Sequence, residues 1–459
     1  MAGRKRFSVL RDPVHGDVYL THEEMRVLDT PEMQRLRGVK QLGTTYLAYP
    51  GALHTRFDHS IGTLHVTGQL IEAIDLNAGL DPRRCLAVGE EEARVVRMAA
   101  LIHDVTHVPF GHNVEDQTGL LPRHDSRYRY ERRLGAHTSL GRVLDELGLR
   151  EDVLAVLAPV EGGGAVPAYW HQIMSDTICS DIIDYLARDA YFTGLRLSID
   201  DRLTSYFKVD RASGNLYIDL AKRALLREDI LSEIVRMLEA RYYFSERVYY
   251  HHAKVSAGAL VARAVELSLS AGLLEEGDVY DQTDASLLDT LDRRAAEGEP
   301  ELAERVRRLV RRFAERKLLK RACVFPRYAN AEVQEDLVQR FFTQQGRQER
   351  LAVEERVSDL VHFATGQRVE VIVYCPAAAM QLKEVATHVR WPGHDEVLPL
   401  AHFADRVPRL ADLERAYRDL WKFYVFADTT DTALLRKVQE VALEEFPGAT
   451  NVYEIVDER

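Results

Sequence analysis

The sequence predicts a mainly α-helical fold with a small α+β lobe at its C-terminal end, and three observations carry that reading. Apolar residues recur at helical spacing through most of the first 320 positions. The strongest β-type runs come only after about residue 322. A length of 459 residues with 46% hydrophobic and 29% charged residues suits a globular chain with room for more than one lobe. The expected division is a helical core over 1–322 and an α+β lobe over 323–459.

In chain order, Val95, Val96, Met98, Ala99, Leu101 and Ile102 form a nearly continuous apolar stretch, read as a buried helix leading into His103-Asp104. Another helix is expected from about residue 173 to 190, after the loop Glu161-Gly162-Gly163-Gly164. Tyr206-Phe207-Lys208-Val209 and Leu216-Tyr217-Ile218 flank Ser213-Gly214-Asn215, the pattern of a small β-hairpin. Residues 275–300 are acidic and polar and read as a mobile loop or an exposed helical arm. In the lobe, residues 369–375 and 423–427 are strands, the second followed by an amphipathic helix through Leu434, Val438 and Leu443. No internal repeat or low-complexity tract is present.

Composition excludes several classes. No run approaches the roughly 18 apolar residues that span a bilayer, and the basic start Met1-Ala2-Gly3-Arg4-Lys5-Arg6 has no apolar region after it. Cys85, Cys179, Cys323 and Cys375 are scattered without a CxxC pair. That fits reduced thiols in a cytoplasmic protein and argues against a cysteine-based zinc site. A net charge of −12 disfavours nonspecific binding to a polyanion such as single-stranded nucleic acid by bulk field alone, and leaves room for a local basic surface.

The chemistry concentrates around one of three His-Asp dipeptides. His394-Asp395 follows Pro392-Gly393 and reads as a turn, and His124-Asp125 lies in a polar stretch. Only His103-Asp104 ends an apolar helix, where two buried polar side chains need partners that a metal would supply. His107 and His112 follow within ten residues, and upstream His59 stands near Arg56. Asp181, Tyr185 and Asp189 fall at i, i+4 and i+8, one polar stripe on an otherwise apolar helix. Two imidazoles and two carboxylates suit one divalent Mn, Fe, Ni, Co or Zn ion better than Ca or Mg.

Together these motifs resemble the HD-superfamily deoxynucleoside triphosphate triphosphohydrolases, the branch of SAM- and HD-domain dNTPases and bacterial dGTPase-like relatives. The resemblance runs from Asp12-Pro13-Val14-His15-Gly16 through Lys40-Gln41-Leu42-Gly43 and His54-x-Arg56-Phe57-x-His59-Ser60. It continues to the His103-Asp104 block and Asp181-x-x-Asp184-Tyr185-x-Ala187-Arg188-Asp189, and the core is expected without a SAM domain before it. It implies that His59, His103, Asp104 and Asp181 are the metal ligands, with Mg accompanying the nucleotide. Arg56 and Arg241 would hold the triphosphate, and Tyr185 and Asp189 the sugar. Gln41 and Leu42 would sit beside the deoxyribose, and Tyr249 under the base.

The reaction implied is attack of water on the α-phosphorus, releasing deoxynucleoside and inorganic triphosphate. His112 is the first choice of general acid, with His107 assisting or binding phosphate and His137 completing the cluster. One departure is Ile182, where the branch often carries a lysine, and another is Glu115 in place of an aspartate. Asp29, Gln34 and Arg37, with Arg316 and Lys320 in a basic stretch read as helical, resemble a regulatory site for dGTP or GTP. A homo-oligomer, dimer or tetramer, is implied as well, with the C-terminal lobe as an oligomer contact or a cover for the effector site. The alternatives are another HD phosphohydrolase (a nucleotidase, phosphodiesterase or single-strand nuclease) and a non-catalytic nucleotide-sensing module.

Overall fold

Thr55 and Asp58 set the start of the helix around which the core is built. In the computed structural model, which describes residues 7–115, 121–160, 166–197, 199–343, 345–375 and 386–456, the Thr55 hydroxyl accepts from the Asp58 N–H. The Asp58 carboxylate in turn accepts from the Thr55 N–H at 2.8 Å. This reciprocal cap satisfies two donors that a helix start would otherwise orphan. The helix Arg56–Leu80 runs 25 residues from there. Phe57, Ile61 and Leu64 pack into one apolar cluster, and Leu70, Ile71 and Ile74 into a second.

Two helices lie against it, Glu90–Ile102 and Ser180–Thr193. The first opens on Glu90, Glu91 and Glu92, favourable at the positive end of a helix, and its apolar run ends at His103, the C-cap. The helix expected over about 173–190 is two, Ala168–Met174 and Ser180–Thr193. Cys179 is extended at the break (φ −153°, ψ 176°), so Asp181 falls in the first turn of a new helix. Residues 161–164, the expected glycine-rich loop, lie outside the described residues, as does the basic start over residues 1–6.

The expected hairpin is present, with Phe207 opposite Ile218 and Val209 opposite Leu216. It forms the middle of a five-stranded sheet in which His388–Arg390, from the C-terminal lobe, pairs parallel to Leu216–Asp219. The lobe's own antiparallel sheet places Lys422–Ala427 between Lys320–Pro326 and Val371–Tyr374. The division expected at 322/323 therefore falls inside a strand, and one apolar cluster runs from Leu42 to Phe446. The two lobes share a sheet and a core.

Residues 275–300 are not an exposed arm. They form the helices Glu276–Tyr280 and Asp284–Ala295, and Leu287, Leu291 and Ala295 are buried at i, i+4 and i+8. The surrounding acidic residues obscure that stripe in the sequence. The basic stretch is likewise not one helix: Pro300–Ala314 carries Arg307, Arg308, Arg311 and Arg312, while Arg316 turns out at φ +56° and Lys320 opens a strand. No helix among the described residues is long and apolar enough to cross a membrane. All four cysteines are buried free thiols.

Candidate active site

His59, His103, Asp104 and Asp181 come from three segments and converge on one point. His59 lies one turn into the helix Arg56–Leu80, His103-Asp104 closes Glu90–Ile102, and Asp181 starts Ser180–Thr193. The His59 and His103 Nε2 atoms are 3.2 Å apart, and Asp181 Oδ1 is 2.9 Å from the first and 3.6 Å from the second. Asp104 completes the set, its Oδ1 3.5 Å from His103 Nε2 and its Oδ2 3.8 Å from His59 Nε2. Metal–nitrogen and metal–oxygen bonds of about 2.0–2.2 Å put neighbouring ligand atoms roughly 3 Å apart, so this spacing fits one transition-metal ion.

The tautomers agree with that fit. His103 Nδ1 lies 2.8 Å from the Ala100 carbonyl, which only accepts, so the ring proton is on Nδ1 and the Nε2 lone pair faces the other donors. Without a metal the carboxylates draw protons instead. Burial lowers the His59 pKa, but hydrogen bonds to Asp181 and Asp184 outweigh it and raise it to about 10. Burial alone would raise the Asp181 carboxyl, yet hydrogen bonds from His103 and His59 hold it well below the usual range. A donor set that retains a proton this strongly is one that favours a cation.

A second group of imidazoles adjoins the first. The His107 ring stacks on His124 with centroids 3.7 Å apart, and His112 meets both edge-on at 5.2 and 5.0 Å. His107 Nε2 is 3.2 Å from Asp104 Oδ1, linking the two groups. Glu115 Oε2 accepts from His124 Nδ1 at 2.8 Å and lies 3.8 Å from His107 Nδ1. Burial, Arg56 and His124 together push His107 well below the usual imidazole range, so it stands neutral.

His124 thus occupies the place expected of His137. His137 is exposed in the turn before Ser139–Glu146, where Thr138 caps that helix through the Gly141 N–H, and it does not line the cavity. The sequence offered little to favour His124, which lies in a loop without periodicity.

His59, His103, Asp104, Asp181, His107, His112 and His124 open into one cavity of about 750 Å³, while Glu115 lies behind the imidazoles and His137 lies away from it. Its walls also carry Gln41, Leu42, Arg56, Tyr185, Asp189, Arg241 and Tyr249, every residue expected at substrate. Arg56 is buried and donates Nη1 to Asp104 Oδ2 at 2.6 Å, while its Nε has no partner. Arg241 Nη1 and Gln41 Oε1 are buried without partners too, as expected of groups that await a polar ligand. Tyr249 ends the π-turn Ser245–Tyr249 and donates its hydroxyl to Asp189 Oδ2 at 2.6 Å. Gly43 has a functional reason: at φ +53°, a Cβ there would collide with Asn113 and the Phe110 carbonyl, which press the Gln41-Leu42 segment onto the loop after His107.

Ile182 is buried in the core and does not line the cavity. Arg123, Arg127 and Lys254 do. Tyr374 and Tyr417, both from the C-terminal lobe, close part of the wall, a contribution the sequence did not signal. The residues expected at an effector site lie elsewhere. Arg37 donates to Gln34 Oε1 at 2.9 Å, Gln34 to the Leu28 carbonyl at 2.8 Å, and Arg316 to the Leu47 carbonyl at 2.8 Å. Asp29, Arg37, Arg316 and Lys320 are exposed.

A helical core that ends a buried helix in His-Asp, with a histidine upstream and an aspartate downstream closing the donor set, defines the HD class. Residues 56–189 match the HD domain and residues 220–446 the HD associated region. The chain belongs to the HD superfamily, on the branch whose curated members include deoxynucleoside triphosphate triphosphohydrolases. The SAMHD1 homolog of Dictyostelium discoideum, described by that activity, is 29% identical over 334 residues, covering 70% of this chain and 60% of that protein. Human deoxynucleoside triphosphate triphosphohydrolase SAMHD1 is 28% identical over 271 residues, covering 53% of this chain and 42% of that one. An uncharacterized Bacillus subtilis protein is 30% identical over 275 residues, covering 59% of this chain and 58% of its own length. The chain thus spans about half the length of the curated relatives it matches. A crystal structure of a hypothetical protein from Aquifex aeolicus shares the fold, with a TM-score of 0.64 at 22% identity over 95% of this chain and 100% of that one.

Proposed function

We propose that the protein hydrolyses deoxynucleoside triphosphates to deoxynucleoside and inorganic triphosphate. The observation that carries this reading is the joining of three chemistries in one cavity. A cation site of His59, His103 and Asp104 with Asp181 beside both imidazoles, a triad of imidazoles, and two arginines with unpartnered buried nitrogens share it with Tyr185 and Asp189. The dNTP triphosphohydrolases among the relatives support the same assignment.

A divalent transition metal held by His59, His103, Asp104 and Asp181 would supply Lewis acidity at phosphorus and a more acidic water. Arg56 and Arg241 bind and orient the triphosphate, and Arg123 and Arg127 are further cations at the same cavity in place of a lysine at 182. Mg accompanies the nucleotide. Asp189 accepts from the 3′-hydroxyl, Leu42 packs where a 2′-hydroxyl would sit, and the Tyr249 ring lies under the base. His112, exposed to the cavity, donates the proton that the leaving 5′-oxygen requires. His107, whose Nε2 is directed at Asp104, orients that carboxylate rather than serving as the acid.

Incubation with each dNTP and Mn, Fe, Co or Mg, followed by ion-exchange chromatography, tests the reading. Deoxynucleoside plus intact triphosphate is the expected result. Monophosphate plus pyrophosphate, or stepwise release of phosphate, would assign the site to another phosphohydrolase chemistry.

A further inference from the structure

Behind the cation site lies a buried ion cluster that reaches back to the N-terminal hairpin. Asp184 sits one turn beyond Asp181 on the same helix, so one helix directs one carboxylate at the front of His59 and another at its back. Asp184 Oδ2 is 2.7 Å from His59 Nδ1, and Oδ1 is 2.5 Å from His15 Nε2. Arg188 spans both oxygens, donating Nε to Oδ2 and Nη2 to Oδ1 at 2.9 Å each. Its Nη1 donates to Asp12 Oδ2 at 2.8 Å. Asp12 Oδ1 accepts from the backbone N–H groups of Val14 and His15 at 2.9 and 2.8 Å, shaping the turn between the strands Ser8–Asp12 and Gly16–Leu20.

We propose that Asp184, held by Arg188, Asp12 and His15, is the carboxylate that positions His59 for the metal, which makes the N-terminal hairpin part of the metal site. The inference rests on the metal reading above. Three observations carry it. Both Asp184 and Arg188 are 0% exposed, so neither can spend its charge on water. The two Asp184 oxygens receive four hydrogen bonds, about the full capacity of a carboxylate, which leaves Asp184 no lone pair for a ligand role of its own. Gly62, on the His59 helix, makes room for the cluster: a Cβ there would overlap both the Asp184 carboxylate and the Arg188 guanidinium.

Physically, a carboxylate that accepts from Nδ1–H fixes the tautomer and the ring plane, so that the Nε2 lone pair is aimed before any ion arrives. Arg188 and His15 hold that carboxylate ionised and stationary, and Asp12 holds Arg188. His15 is the only member supplied by the hairpin turn as a direct donor to Asp184 among the described residues.

The test is Co(II) affinity by chelator competition, together with the visible absorption of the bound ion, on wild type, Asp184→Asn, His15→Ala and His15→Gln. Circular dichroism and Tm report folding in parallel. Asp184→Asn is expected to bind Co(II) about 10–100-fold more weakly, with a shifted visible band. His15→Ala is expected to weaken binding by a smaller factor. His15→Gln is expected to recover it, since the Gln amide can donate to the same oxygen. Folded Asp184→Asn and His15→Ala proteins with wild-type affinity and spectrum would overturn the inference. Should Asp184→Asn fail to fold, the His15 pair decides alone: recovery by Gln supports the positioning role, and equal affinity in Ala, Gln and wild type refutes it. Wild type that binds no Co(II) would overturn the metal reading itself, an outcome read without any variant.

Discussion

Tyr249→Phe removes one oxygen from the sugar end of the cavity and separates two roles for Asp189. The hydroxyl donates to Asp189 Oδ2 at 2.6 Å, and Asp189 is 1% exposed. The other oxygen is 2.8 Å from His54 Nε2, whose ring stacks on Phe192 at 4.7 Å. A hydrogen bond to a buried carboxylate contributes about 1.5–3 kcal/mol, so the free variant loses roughly that much stability. A 3′-hydroxyl bound at Asp189 brings its own donor to the vacated oxygen, and binding then recovers part of the loss. At about 1.4 kcal/mol per factor of ten, the preference for a 3′-hydroxyl grows, by at most about one to two orders of magnitude if the whole loss is recovered. The phenyl ring remains, so any stacking under the base is kept. The assay is calorimetric titration of metal-stripped protein, in which nothing turns over, with a dNTP and its 3′-deoxy counterpart. An unchanged preference in Tyr249→Phe would refute Asp189 as the sugar's acceptor.

Three further outcomes follow from the same geometry. His112→Gln lowers kcat by about 10²–10⁴ with KM little changed, while His137→Ala leaves kcat as it was; equal losses in steady-state assays would contradict the assignment. Metal affinity rises with pH across the neutral range. The His59 pKa is raised to about 10 in the metal-free protein, so the ion must displace a proton there. Below that value each pH unit gains up to about tenfold in apparent affinity. Chelator competition at pH 6 and 8 checks this, and a flat profile counts against it. A fragment of residues 1–322 gives no cooperative unfolding transition, because its end cuts the strand Lys320–Pro326 and removes His388–Arg390 from the shared sheet. A fragment with a sharp melt would show two independent domains.

The centre of the site was legible because burial and polarity conflict there. His103-Asp104 closes an apolar run, and Asp181, Tyr185 and Asp189 interrupt one at helical spacing; both patterns are local, and the cavity wall carries all five. The break over residues 175–179 was hidden because Ile173, Met174, Ile178 and Ile182 continue an apolar pattern straight across it. His124 reaches His107 only through the path of the chain after the loop, so its neighbours in sequence say nothing of its neighbours in space. The same holds for Asp184 and Arg188, whose partners His15 and Asp12 lie at the other end of the core. The parallel pairing of Leu216–Asp219 with His388–Arg390 joins segments 171 residues apart, His388 opposite Tyr217, and no periodicity in either strand encodes it.

In the proposed reaction water attacks the α-phosphorus and the bond to the 5′-oxygen breaks. Turnover of a dNTP in ¹⁸O-enriched water, with mass spectrometry of both products, tests it directly. A single ¹⁸O in the inorganic triphosphate and none in the deoxynucleoside is the expected result. Label in the deoxynucleoside, or in a monophosphate or orthophosphate product, would contradict it.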